Sequence, residues 1–189
     1  MSRYNRQIKL TEVGLEGQEK LRNAKVLLVG VGGLGCPAAM FLAGAGVGKM
    51  GLMDHDKVDM SNLHRQVLFQ ESDVGKSKGV VAKERLEKQN SEVQFEVYEE
   101  PLTIENAKSI IQQYDVVLDG TDNFSTRYLI NDWAIAHRKA WIYAGVVSTY
   151  GMTASFSGNA PCLRCTYPQP PAPEQSPTCR NTGVLGPAV

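Results

Sequence analysis

Apolar positions along this chain fall into short runs of strand type that alternate with stretches of helical period, and the alternation persists from end to end. Val13 to Arg22 reads as a helix anchored by Leu15 and Leu21, and Lys25 to Val29 as a short apolar strand. Leu34 to Ala45 is a helix rich in alanine and other small residues, suited to close packing. Lys49 to Met53 is the next strand, and Ser61 to Gln66 a short helical turn with Ser61 as its cap. Lys76 to Gln89 predicts an amphipathic helix with Val80, Val81 and Leu86 inward, followed by a strand over Glu92 to Tyr98 and a helix over Ile104 to Gln113. The apolar strand Asp115 to Leu118, the helix Phe124 to His137 and the strands Ala140 to Val147 and Met152 to Phe156 complete the set. Trp133, Trp141, Tyr143 and Phe156 read as core or helix-packing residues. Such alternation predicts an α/β fold: a doubly wound, mostly parallel sheet with helices on both faces. Only a short turn around Tyr150-Gly151 separates the last two strands, so these are expected to be antiparallel.

Composition narrows the function classes. At 189 residues the chain suits one domain with a substantial core. Lys plus Arg equals Asp plus Glu at 20 each, so no net charge draws it to nucleic acid. No stretch approaches the roughly 18 uninterrupted apolar residues of a membrane helix. The N-terminus is polar from its second residue, unlike a secretion signal, and a cytoplasmic enzyme is expected.

The chemistry concentrates where the first strand ends. Gly30-Val31-Gly32-Gly33-Leu34-Gly35 is a G-x-G-x-x-G between a strand and a helix. Gly30 suits a tight turn, Gly32 lets backbone approach a phosphate, and Gly35 lets the helix pack close to the strand. The helix then points free N–H groups and its dipole at an anion. A second strand ends in Asp54, nineteen residues after Gly35, where a carboxylate can accept from ribose hydroxyls. A Rossmann-like nucleotide site follows, and both NAD and ATP fit it. Asp56, Asp59, Asn62, Arg65 and Gln66 crowd the next segment and Lys78 follows. Cations such as Arg65 and Lys78 suit the greater charge of a triphosphate. Gly75-Lys76-Ser77 is no P-loop, because Gln70 stands where that motif needs glycine. Asp119-Gly120-Thr121-Asp122 lies at the carboxyl end of another strand, where a carboxylate can share Mg²⁺ with phosphates. The structural alternative is that Asp119 or Asp122 caps the helix from Phe124.

RYNRQI near the start, GVGGLG, LMDHDKVDMSNLHRQ, VGKSK, DGTDN, CLRC and CRNTGVLGP, in this order, resemble the ThiF/MoeB/HesA family, relatives of the ubiquitin-activating enzymes. The resemblance runs from Arg3 to Pro187. It implies an ATP-dependent adenylyltransferase that joins AMP to the C-terminal glycine of a ubiquitin-like or sulfur-carrier protein ending in Gly-Gly, releasing pyrophosphate. It implies further that Gly30, Gly32 and Gly33 lie against the phosphates and Asp54 holds the ribose. Asn62, Arg65, Gln66 and Lys78 would contact the phosphates, and Asp122 would bind Mg²⁺. Arg6 would reach into a partner's site, which implies a homodimer; its bland reading is one cation of a solvated arm. His64, though inside the motif, reads as a packing or helix-surface residue. A terminal carboxylate is already ionised near neutral pH, so the reaction needs charge neutralisation and alignment rather than a general base. The rival readings are an NAD-dependent oxidoreductase, a non-catalytic partner subunit, and a family member acting on a small molecule or RNA base.

Four cysteines remain: Cys36, Cys162, Cys165 and Cys179. Cys36 reads as a small buried apolar residue. Cys162-Leu163-Arg164-Cys165 has the spacing of half a zinc site. Family members often supply a second pair near the C-terminus, so residues 1–189 are read as one ATP-binding adenylation domain that stops short of it, with Zn²⁺ expected in the longer protein. A redox pair is the alternative, although proline-rich sequence follows where a helix would be needed. Residues 166–180 form a proline-rich segment read as a mobile crossover loop. Cys179 at its end is a candidate nucleophile for sulfur or acyl transfer, against an ordinary loop thiol. The pathway, whether thiamine, molybdopterin or another sulfur transfer, is left open.

Overall fold

Strands β1 (Lys25–Val29), β2 (Lys49–Met53), β3 (Gln94–Tyr98), β4 (Val116–Asp119), β5 (Ala140–Val147) and β6 (Tyr150–Phe156) form one sheet, ordered β3-β2-β1-β4-β5-β6. The computed structural model describes residues 3–158, 160–170 and 182–189. Neighbouring strands are parallel except β5 and β6, which pair antiparallel. The chain winds outward from β1 to β3 and returns to β4 on the other side of β1. That reversal opens a crevice at the carboxyl ends of β1 and β4, the place where doubly wound sheets bind ligands.

Helices α1 (Asn5–Ile8), α2 (Gly14–Asn23), α3 (Gly35–Ala45), α4 (Lys78–Gln89), α5 (Ile104–Ile111), α6 (Phe124–Ala136) and α7 (Leu163–Thr166) complete the elements. Strand period explains why two layers of helix are needed. Along β1, Val26 and Leu28 enter one core with Ala39, Ala43, Val81 and Leu86 of α3 and α4. Leu27 and Val29 enter the opposite core with Ile110, Ile111, Ile130 and Ala134 of α5 and α6. Full burial of each such aliphatic side chain contributes about 1.5–3 kcal/mol, so both faces of the central strands hold the fold together. Trp141, Tyr143 and Phe156 join the second core, while Trp133 is half-buried and stacks on His137.

The expected elements all form, with shifted ends and four local differences. Val80 is exposed, because the buried side of α4 carries Lys78, Gly79, Val81, Ala82 and Leu86, and Val80 points away from it. Leu15 is also exposed, leaving Leu21 as the apolar contact of α2. Asp59, not Ser61, caps the turn over Met60–Asn62, accepting from the Ser61 N–H at 2.8 Å. Tyr150 and Gly151 pair with Val147 and Val146 inside β6, so Ser148 and Thr149 make the turn.

Candidate functional site

The loops after β1 and β4 touch at the crevice, and glycine makes that contact possible. A Cβ on Gly35 would lie 2.1 Å from the Gly30 carbonyl oxygen, and one on Gly120 would lie 2.5 Å from the same atom. Gly35 is therefore required for α3 to start against β1. Gly32 differs: a Cβ there would meet only Gln66 Nε2 at 3.6 Å, so its outer face is open for a close ligand. Asp54, nearly buried at the end of β2, accepts from the Val31 N–H at 2.8 Å and the Asp56 N–H at 2.9 Å. It thus fixes the glycine turn, and burial raises its pKa despite nearby Lys78.

The segment after β2 folds back over this turn. Gln66 is almost wholly buried and its Oε1 has no hydrogen-bond partner, an unmet acceptor beside Gly32. Half-buried Arg65 donates to the Ser61 carbonyl at 3.1 Å, and Asn62 starts the turn's next bonds through its carbonyl, which accepts from the Gln66 N–H. His64 is exposed and its Nδ1 lies 3.0 Å from the Ser61 carbonyl, in keeping with a surface role. Lys78, at the start of α4, is 5% exposed, and its Nζ lies 3.0 Å from Asp56 Oδ2. This buried cation faces the carboxylates of Asp56 and Asp54 at the edge of the glycine turn.

On the other side of the crevice, Asp122 follows β4 in the loop that touches Gly30. It is exposed, and its carboxylate bonds to nothing among the described residues. Neither it nor Asp119 caps α6: Asn123 does, accepting from the Thr126 N–H at 2.9 Å, because Asp122 lies one position too early. Asp119 instead accepts from the Thr121 N–H at 2.8 Å and hydroxyl at 2.6 Å, and pairs with buried Arg127. Sequence reading passed over Arg127. Its signal was an arginine on the apolar stripe of α6, where Arg127, Ile130, Asn131 and Ala134 share one buried face at spacings of three and four. The roof of the crevice is the segment 186–189: Val189 lies against Gly33, and Gly186 packs on the His64 carbonyl.

Two predicted site groups stand elsewhere. Arg6 is exposed on α1, and Gln7 beside it donates to the Ala45 carbonyl at 2.8 Å, at the far end of α3. An eleven-residue helix spans about 16 Å, so Arg6 is anchored well away from its own chain's glycine turn. Cys162 stands at the N-cap of α7 and Cys165 lies within it, with their Sγ atoms 3.9 Å apart. Leu163 donates its N–H to Asn131 Oδ1 at 3.0 Å, and Arg164 pairs with Asp132 through two bonds. Burial raises the Cys162 thiol, but the N–H groups of Arg164 and Cys165, with Asn131 and Cys165 side chains, pull it below the ordinary value. Cys36 is fully buried and pushed up to about 12 by that burial, as befits an inert core thiol. Cys179 and most of the 166–180 segment lie outside the described residues.

A parallel switch point with a glycine turn, a capping carboxylate and convergent cations defines a nucleotide-binding α/β domain. The ThiF family profile matches residues 4–189, and the chain belongs to the ThiF family. It is 45% identical over 197 residues to the sulfur carrier protein adenylyltransferase of Thermus thermophilus, covering all of this chain and 73% of that protein. It is 46% identical over 187 residues to the adenylyltransferase and sulfurtransferase MOCS3 of Anopheles gambiae, covering 98% of this chain but 42% of that one. The chain thus spans less than half the length of the MOCS3 relatives it matches. Among solved structures, E. coli MccB bound to ATP superposes with a TM-score of 0.76 at 31% identity, over 89% of this chain and 53% of that one. MccB with MccA-N7isoASN gives 0.78 at 30% identity, over 87% and 51%. No helix among the described residues is long and apolar enough to cross a membrane.

Proposed function

We propose that this chain is the adenylation domain of an ATP-dependent adenylyltransferase acting on the C-terminal glycine of a ubiquitin-like or sulfur-carrier protein. The observation that carries the reading is the crevice itself. Open Gly32, the Gln66 amide with its Nε2 toward Gly32, and buried Lys78 line one side, and the uncommitted Asp122 carboxylate stands on the other. The adenylyltransferase names of the relatives support it.

Gly30, Gly32 and Gly33 present backbone to the phosphates, and Asp54 offers its remaining lone pairs to the ribose. Asn62 and Gln66 donate amide N–H groups to the triphosphate, and Arg65 and Lys78 hold and neutralise it. The carrier's terminal carboxylate oxygen attacks the α-phosphorus, the bond to the β-phosphate oxygen breaks, and pyrophosphate leaves with the electron pair. The residues present fit Mg²⁺, with Asp122 as its protein ligand, and the ion supplies charge neutralisation across the phosphates. Arg6 serves a second copy's site in a homodimer; its anchoring far from its own crevice supports that assignment. The cysteine pair also fits Zn²⁺: tetrahedral thiolates at about 2.3 Å from zinc lie about 3.8 Å apart, close to the 3.9 Å here. Cys179, outside the described residues, is a candidate for a second, thiol-dependent sulfur-transfer step. A cytoplasmic setting belongs to the same proposal, as ATP and reduced thiols are found there.

Mass spectrometry of the carrier after incubation with Mg²⁺ and ATP tests the reading. An AMP adduct that disappears when the carrier lacks its last glycine supports it. Oxidation of a substrate with NAD, or an adduct on a small metabolite alone, overturns it.

A further inference from the structure

The last register pair between β4 and β5 is Leu118 with Ile142, yet β5 continues to Val147 on β6 alone. Beyond that pair no register pair is formed between the two strands, and the Arg127 side chain reaches from the β4 end to β5. Arg127 donates from Nε to Asp119 Oδ2 at 3.2 Å and from Nη2 to the Thr121 carbonyl at 2.7 Å and the Ala144 carbonyl at 3.2 Å. Its guanidinium stacks on Tyr143 and Phe124, with centroid distances of 4.9 Å and 5.3 Å. Asp119 in turn holds the N–H and hydroxyl of Thr121, and the Gly120 N–H donates to the Val29 carbonyl at 2.8 Å. Every polar group of Thr121 is therefore committed, and Asp122 is the next residue.

We propose that Arg127 is a positioning residue for the Asp122 loop: clamped between Asp119, Thr121 and Ala144, it fixes the backbone from which the proposed magnesium ligand projects. The inference rests on the adenylyltransferase reading for its consequence, but not for the clamp. Lysine cannot replace arginine there. Its ammonium keeps the charge beside Asp119 but lacks the planar fork that serves two carbonyls and two ring faces together.

The test uses the intact protein and Arg127→Lys. Amide hydrogen exchange, without nucleotide or metal, is expected to speed up by about tenfold or more at Gly120 to Asn123, as loss of one charge-assisted bond implies, with helix α3 and β1 unchanged. With carrier and ATP present, the Mg²⁺ concentration for half-maximal activity should rise by about tenfold on the same ground, while turnover at saturating Mg²⁺ stays near wild type. The double variant Arg127→Gln with Asp119→Asn removes both buried charges together, so it avoids an unpaired carboxylate; it should show the same local exchange. Unchanged loop exchange overturns the clamp. Equal acceleration across the whole sheet also overturns it, since a merely structural role predicts that. A fall in turnover that Mg²⁺ does not rescue overturns the positioning of its ligand. If the wild type adenylates nothing, the functional reading fails, and the exchange arm still decides the clamp.

Discussion

Two glycines in one turn should respond in opposite ways to the same methyl group. In Gly35→Ala the new Cβ would lie 2.1 Å from the Gly30 carbonyl oxygen, a rigid backbone atom. Relief requires α3 to move off β1, and overpacking of this kind costs about 3 kcal/mol. For a domain of this size about 1 kcal/mol lowers the melting temperature by roughly 2–4 °C, so the loss should be about 6–12 °C. In Gly32→Ala the nearest atom is Gln66 Nε2 at an ordinary 3.6 Å, and Gly32 is not among the glycines of positive φ. Its stability should change by less than about 0.5 kcal/mol. The methyl would nevertheless stand where phosphate approaches. Nucleotide at about 100 times its dissociation constant adds about 2.7 kcal/mol of stability, or roughly 5–11 °C, to the unaltered protein. Thermal melts with and without Mg²⁺ and ATP should therefore show Gly35→Ala melting low, and Gly32→Ala melting normally with most of the nucleotide shift gone. A full shift in Gly32→Ala would refute the placement of phosphate against that backbone.

Gln66→Met removes a buried acceptor without a partner, so the free protein should gain about 1–3 kcal/mol while its nucleotide shift shrinks. A destabilised variant would mean that Oε1 is satisfied. Asp122→Ala and Lys78→Ala should each lower adenylation by about a hundredfold or more with unchanged circular dichroism, and normal turnover in either would sink the site assignment. Cys179→Ala should leave adenylate formation near normal; its loss would mean that the thiol shapes the ATP site. In chelator-treated protein Cys162 should be alkylated well before Cys36 and retain its rate to lower pH than an ordinary thiol, because its pKa is depressed, while Cys36 resists near neutral pH. Fast labelling of Cys36 would contradict its burial.

Much of the fold was legible because the strands obey a simple rule. β1, β2 and β5 span the ranges expected from the sequence, and in β1 and β2 four consecutive residues are buried because both faces are covered. Helix faces were harder to read. Val80 and Val81 are adjacent and equally apolar, and only the tertiary packing that buries Gly79, Ala82 and Leu86 of α4 decides that Val81 is inside. The glycine turn and Asp54 announced themselves through spacing. Arg127 gave only its place on the apolar stripe of α6, a signal easily overridden because an arginine in a helix ordinarily marks a solvated face; its partners Asp119 and Ala144 come from β4 and β5. The position of Arg6 also depends on tertiary contacts, through Gln7 to the end of α3.

The central claim is that this crevice activates a protein carboxylate with ATP. ATP–pyrophosphate exchange tests it most directly, run with a Gly-Gly-ending carrier and with the same carrier lacking its last glycine. The account predicts exchange that requires both Mg²⁺ and the intact tail, because pyrophosphate can return to ATP only through a reversible acyl-adenylate. Exchange without any carrier, or none with the intact carrier, would contradict it.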